Sequence, residues 1–302
     1  MIMRNLYYSL AALLFIAAGC TNNDFTDNGA NSPVGQKRTI TSINATIENA
    51  DTRTQLIGGR QPVWQKDDHI AVFSDNGDWN SYMLFDGAGT ASATFIGDEI
   101  EGSNFFALST DDIRNYNADA KTITFRWPFD GFHKNNSNIW RVIPMFASGS
   151  NGSLQFMQLG GMLHFQVVGK GKLKFFALRP LDENYTDDSQ ADAFPDLYEL
   201  SYGESVTVAP SKTSTDGRNE IAEWMNDENG EYPDLSETEP YDVYFNLPAG
   251  YKFEYGFMTI LGVDDENGEF YNVHKMSKEE ITINRATVRH YPAITAEKTV
   301  EP

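Results

Sequence analysis

The sequence predicts an all-β fold in two parts. Short strand-like runs recur between turn signals, sustained helical periodicity is missing, and one glycine- and serine-rich run near the middle divides the chain. That run, Ala147 to Ser153, sets the expected boundary between 38–150 and 151–296.

The runs justify themselves in order. Thr39 to Ile47 puts Ile43, Ala45 and Ile47 on one face, against Ser42, Asn44 and Thr46 on the other. Ile70 to Phe73 is a short apolar run, with Trp64 before it as an expected core anchor and Asp67-Asp68 as an opening turn. Lys121 to Trp127 turns Ile123, Phe125 and Trp127 one way and Thr122, Thr124 and Arg126 the other. Leu163, Phe165 and Val167 alternate with His164 and Gln166, which places His164 on a wet face. Val243, Phe245 and Leu247 alternate with Asp242, Tyr244 and Asn246. Each pattern fits a sheet with one buried and one solvated face. Asn267-Gly268, between Phe257–Val263 and Phe270–Val273, reads as a hairpin turn. Arg218 to Asn226 is the one stretch that suits a short helix. No internal repeat stands out. The region from about 182 to 240 is the least regular, and Asp216 to Glu239 holds nine acidic residues against Arg218 alone. It reads as a long solvated acidic insertion.

The N-terminus carries an address. Arg4 is followed by the apolar run Leu10 to Ala18 and then by Ala17-Ala18-Gly19-Cys20. The apolar stretch is too short to span a bilayer as a helix. Residues 1–19 are therefore expected to be a lipoprotein signal peptide, with Cys20 as the lipidated first residue of the mature chain. Residues 20–37 are rich in Asn, Asp, Gly and Ser and form an expected flexible tether. Asp24 and Asp27, close behind Cys20, resemble an acidic export signal found in one phylum of Gram-negative bacteria, which implies the outer face of the outer membrane. Cys20 is the one cysteine, so the fold must stand without an internal disulfide.

Composition and motifs narrow the chemistry. A formal net charge of −20 and a pI near 4.5 repel a phosphate backbone, so nucleic acid is not an expected partner. His69, His133, His164, His274 and His290 form no H-E-x-x-H pair, and no G-x-S-x-G elbow or P-loop is present. The acidic turns around Gly77, Gly230 and Gly268 lack the EF-hand spacing. No catalytic residue, metal ligand or cofactor is expected, and the chain is not expected to be an enzyme. Among the tryptophans, Trp127 alternates inward, whereas Trp79 and Trp140 lie near loops; with Trp224 they raise the option of an aromatic platform for a glycan.

The order of several motifs carries a resemblance. Thr52-Arg53-Thr54 followed by Val63-Trp64-Gln65-Lys66-Asp67-Asp68-His69-Ile70-Ala71-Val72-Phe73 resembles the "TRT … W-x-x-G/D-D-x-I-x-V" opening of fimbrillin-family lipoproteins. Leu159-Gly160-Gly161-Met162-Leu163-His164-Phe165 and Asn246-Leu247-Pro248-Ala249-Gly250-Tyr251 are similar to later stretches of the same family. The resemblance spans essentially the whole mature chain and implies two tandem β-sandwich domains of transthyretin-like topology. It also implies a pilus subunit at the cell surface, structural or accessory, that acts in assembly and adhesion. In such pilins an arginine-specific protease cuts after an arginine placed like Arg53. The strand carrying Ile43, Ala45 and Ile47 is then lost and replaced by one from another subunit. Arg38 and Arg60 are alternative cut sites, and an uncut loop arginine is the plain alternative. Implied partners are other pilus subunits through strand exchange, the outer membrane through the lipid, and a surface glycan or protein. The runner-up reading is a glycan-binding surface lipoprotein that does not polymerise.

Overall fold

Alternation along β1 (Arg38–Ile47) buries Ile43, Ala45 and Ile47 and leaves Asn44 and Thr46 in solvent, as a half-buried strand requires. The computed structural model describes residues 37–48, 63–110, 112–129, 131–133, 143–185, 193–214, 217–227 and 229–298. Among these the fold is all-β, with strands numbered here in chain order.

Seven strands close into a barrel. Around the ring they run β1, β10 (Ser153–Gln158), β9 (Met145–Gly149), β5 (Phe105–Leu108), β2 (His69–Ser74), β3 (Trp79–Asp86) and β4 (Ser92–Gly102), which returns to β1. Its interior is filled by Ile43, Ala45, Ile47, Trp64, Ile70, Val72, Tyr82, Phe95, Phe105 and Phe156. Trp64 anchors this core edge-on to Phe95 and Phe156, with ring centroids at 4.9 and 5.1 Å. Asp67 holds the expected turn before β2 with a left-handed backbone, φ 67°.

The remaining strands enclose a second, larger core. β6 (Ile113–Asn117) and β7 (Thr122–Arg126) pair with β14 (Leu197–Ser201) and β15 (Thr207–Pro210). β11 (Gly160–Gly169) pairs with β18 (Tyr241–Pro248), which pairs in turn with β8 (Gly131–His133). β12 (Lys172–Pro180) lies between β17 (Ile221–Trp224) and β20 (Phe257–Asp264), and β21 (Phe270–Ser277) forms the far edge. Two small ladders join β13 (Phe194–Pro195) to β16 (Gly217–Arg218) and β19 (Lys252–Phe253) to β22 (Ile281–Thr282). Finally β23 (Val288–His290) and β24 (Ile294–Ala296) run parallel to β11 along its free edge. The core between these sheets holds Ile123, Phe125, Trp127, Leu163, Phe165, Val167, Val243, Phe245 and Leu247, the residues whose alternation pointed inward. Ala71, Phe73, Leu108 and Phe146 of the barrel strands pack into it as well.

Three expectations change. Strand pairing crosses the 150/151 boundary both ways: β10 completes the barrel of the earlier residues, and β7 pairs with β14 of the later ones. The stretch from 182 to 240 is not a solvated insertion. Its described residues supply β13 to β17, and Phe194, Tyr198, Leu200, Ile221, Met225 and Leu235 lie in the core. Its acidic side chains sit between these buried positions and hide the pattern in a sum over charge. The stretch proposed as a helix forms β17 instead, because Phe175 to Leu178 of β12 offers a ladder that four residues alone cannot replace with helical hydrogen bonds.

One repeat also escaped the reading of the sequence. Asp-Glu-Asn-Gly-Glu occurs at 227–231 and again at 265–269. In each copy the leading Asp accepts backbone N–H bonds from the third and fifth residues, and the glycine takes positive φ, 81° and 80°. A local hydrogen-bond code thus builds the same turn twice, and the second copy is the expected β20–β21 hairpin.

Candidate functional site: the first strand and the C-terminal edge

β1 is held on both sides. It is antiparallel to β4 from Arg38↔Gly102 to Thr46↔Ser92, with a register shift between Ile40 and Ser42. It is parallel to β10 from Asn44↔Ser153 to Ile47↔Phe156. The strand is therefore the closing stave of the barrel, and its loss leaves two facing edges, β4 and β10, above an apolar interior. Tyr82 marks the shifted register. Its hydroxyl lies 3.0 Å from the Ile40 carbonyl and 2.9 Å from that of Asp98. Its ring covers Gly97, where a Cβ would come within 2.5 Å of the ring. Burial, with Asp98 nearby, pushes the Tyr82 phenol up to about 12, so it stays a hydrogen-bond donor. Arg53, Arg60 and Cys20 lie outside the described residues.

The C-terminal end occupies a second edge. β23 pairs through Met162↔Val288 to His164↔His290, and β24 through Val167↔Ile294 to Gly169↔Ala296. Pro292 interrupts the run, since it has no N–H to give. Ile294 and Ala296 are buried, and the Tyr291 ring stacks on Phe165 at 4.9 Å. The Tyr291 hydroxyl is buried with no hydrogen-bond partner.

His164 sits on the outward face, as its alternation predicted, but it is not wet: 7 % of it is exposed. Tyr244 stacks on one side at 4.3 Å and His290 stands edge-on at 4.8 Å. Its Nε2 is 2.8 Å from Asp242 Oδ1, which also accepts from Gln166 Nε2 at 3.1 Å. Its Nδ1 is 2.6 Å from Nδ1 of His290. Burial pulls the His164 imidazole below its ordinary value, Asp242 opposes that pull, and His290 adds to it. Sequence reading missed this cluster because strand register, which brings 164, 242 and 290 together, is not a local property.

Exposed aromatics form a row on the outer face of the β17–β12–β20–β21 sheet. Trp224 is 58 % exposed and lies 5.6 Å from Phe175, which lies 6.3 Å from exposed Phe270. Gly262 makes room: a Cβ there would meet the Phe175 ring at 2.3 Å. A second exposed apolar patch, Met83, Phe85 and Ile96, lies on β3 and β4 of the barrel. Trp79 stacks on Phe73 at 5.9 Å and is half exposed; Trp127 is core, and Trp140 lies outside the described residues. Among the described residues, no group of three or more His, Cys, Asp or Glu is placed to hold a metal ion.

No protein-family model matches the chain. No curated protein matches it either. Comparison with solved structures finds several similar chains at low scores. A candidate cell adhesion protein of Bacteroides fragilis is 7 % identical, with 86 % of this chain and 90 % of that one covered at a TM-score of 0.39. The tip fimbrial protein Mfa3 of Porphyromonas gingivalis is 13 % identical, with coverages of 88 % and 97 % at 0.36. A candidate cell adhesion protein of Bacteroides eggerthii is 8 % identical, with 89 % of each chain covered at 0.33. At such identities and scores the likeness carries no inference of role.

Proposed function

We propose that the chain is a lipid-anchored subunit or accessory protein of a pilus at the cell surface. In this reading it adheres and assembles rather than catalyses. The observation that supports it is the placement of β1: the first strand among the described residues closes a barrel with only Ile43, Ala45 and Ile47 fully inside, and a segment carrying Arg53 follows at once in the sequence. Removal of such a strand offers two backbone edges and an apolar groove to a strand from another chain. The signal-like N-terminus with Cys20 and the ordered motifs from Thr52 to Tyr251 agree with it. The test is cleavage of purified precursor with an arginine-specific protease, followed by mass and size. A cut after Arg53 should yield a chain that associates with itself or with partner subunits. A cut chain that stays monomeric in both settings overturns strand exchange.

The row of Trp224, Phe175 and Phe270 favours a second reading, a surface protein that binds a neutral glycan by stacking. Its test is a glycan array with wild type and Trp224→Ala. Binding lost about 5- to 10-fold in the variant supports this reading, as stacking of ~1–1.5 kcal/mol per ring requires. Equal binding by both proteins, or none, removes it.

A further inference from the structure

We infer that the His164–His290 contact is a proton-controlled latch that holds the C-terminal segment Val288–Ala296 on β11. The inference rests on the geometry and burial of these side chains and stands whether or not the chain assembles by strand exchange.

The hydrogen-bond inventory leads there. Asp242 Oδ1 accepts at 2.8 Å from Nε2 of His164, so that nitrogen carries a proton. In the neutral ring Nδ1 of His164 is then the acceptor, and Nδ1–H of His290 donates across 2.6 Å. One proton on each ring, at Nε2 of His164 and Nδ1 of His290, satisfies all three groups. A proton added to His164 fills its last acceptor. A singly charged pair still keeps one donor and one acceptor across the contact, but with both rings charged two N–H donors and two positive charges face each other at hydrogen-bond distance. The contact must open.

The surroundings do not absorb that charge. The groups facing His164 are the Asp242 carboxylate and the Tyr244 ring from β18, Gln166 from its own strand, and His290 from β23. Asp242 favours the cation, but burial and His290 outweigh it, so the docked ring is harder to protonate than a free one. The sign follows. A basic group whose docked pKa is depressed favours docking fully above its free value, about 6.5. That contribution is lost as pH falls below 6.5 and levels off once the docked ring is also protonated.

What opens is a segment with little else on its outer side. Among the described residues β23 and β24 pair only with β11, Pro292 breaks the ladder between them, and His290 itself is exposed. Met162 N–H to the Thr287 carbonyl at 2.8 Å and Tyr291 N–H to the His164 carbonyl at 2.9 Å frame the latch. Ile294 and Ala296 hold the far end by burial, so opening begins at 288–291. Arg289 is held by Glu279 at 2.8 Å and does not face the histidine pair.

Hydrogen exchange read by mass spectrometry on the full chain tests the latch. Peptides covering 287–296 are compared with peptides from β12 and β20 at pH 7.5 and 5.5, after correction for intrinsic exchange. Wild type should lose protection at 287–296 relative to the reference strands at the lower pH, as the depressed docked pKa of His164 requires. His290→Gln should weaken that pH response, His164→Gln should abolish it, and His274→Gln, on the exposed face of β21, should keep it. Unchanged relative protection in wild type overturns the latch. So does a pH response that survives in both His290→Gln and His164→Gln.

Discussion

Tyr198 shows how a single atom can weigh against its own side chain. Its ring is fully buried against Trp127 and Phe129, with centroids at 5.7 and 5.9 Å. Its hydroxyl is buried as well and finds no partner. Burial pushes the phenol far above its ordinary range, so the cost is that of a desolvated neutral hydroxyl, not of a charge. Tyr198→Phe keeps every ring contact and removes the orphan. It should stabilise the fold by ~1 kcal/mol, visible as a raised midpoint in thermal or urea unfolding. A loss of 1 kcal/mol or more would mean that the hydroxyl has a partner, such as a bound water. The same residue shows what was hidden in the sequence. Tyr198, Leu200 and Tyr202 alternate with Glu199 and Ser201, but the run is short and lies in a charge-rich stretch, and the pairing Tyr198↔Phe125 with β7 is what reveals it as core.

At the scale of elements, period-two alternation was legible because it is written within a few residues. β1, β7, β11 and β18 follow it, β2 was legible instead as a short apolar run, and the β20–β21 turn as an Asn-Gly pair. Partner choice was not legible, because it is decided by residues far apart: β1 meets β10 more than a hundred positions away. This matters for the candidate site. Taken as an isolated strand, β1 holds on by burial alone, and Ile43 and Ile47 contribute ~1.5–3 kcal/mol each. As a barrel stave it also makes two ladders. The sum is a large share of the ~5–15 kcal/mol that holds a domain together. Cutting after Arg53 should therefore not release β1 by itself. The nicked chain is expected to retain the peptide non-covalently through gel filtration, and to lose it only in mild denaturant or when a competing strand is supplied. Spontaneous release at neutral pH without either would show that the barrel tolerates an open side.

Over the whole molecule, charge sets the terms of association. With 43 acidic against 23 basic side chains, two copies repel one another at any distance that salt does not screen. The screening length is ~30 Å at 0.01 M ionic strength and ~8 Å at 0.15 M, so repulsion between copies is felt well before contact in dilute buffer and hardly at all in physiological salt. Strand exchange itself depends on backbone hydrogen bonds and apolar burial, which moderate salt leaves nearly unchanged. If copies of this chain join one another after cleavage, the rate should rise with ionic strength while the final extent changes little. The measurement is light scattering of nicked protein between 0.01 and 0.3 M sodium chloride. A rate that falls as salt is added would mean that opposite charges meet at the contact, and that the proper partner is a basic surface instead of a second copy.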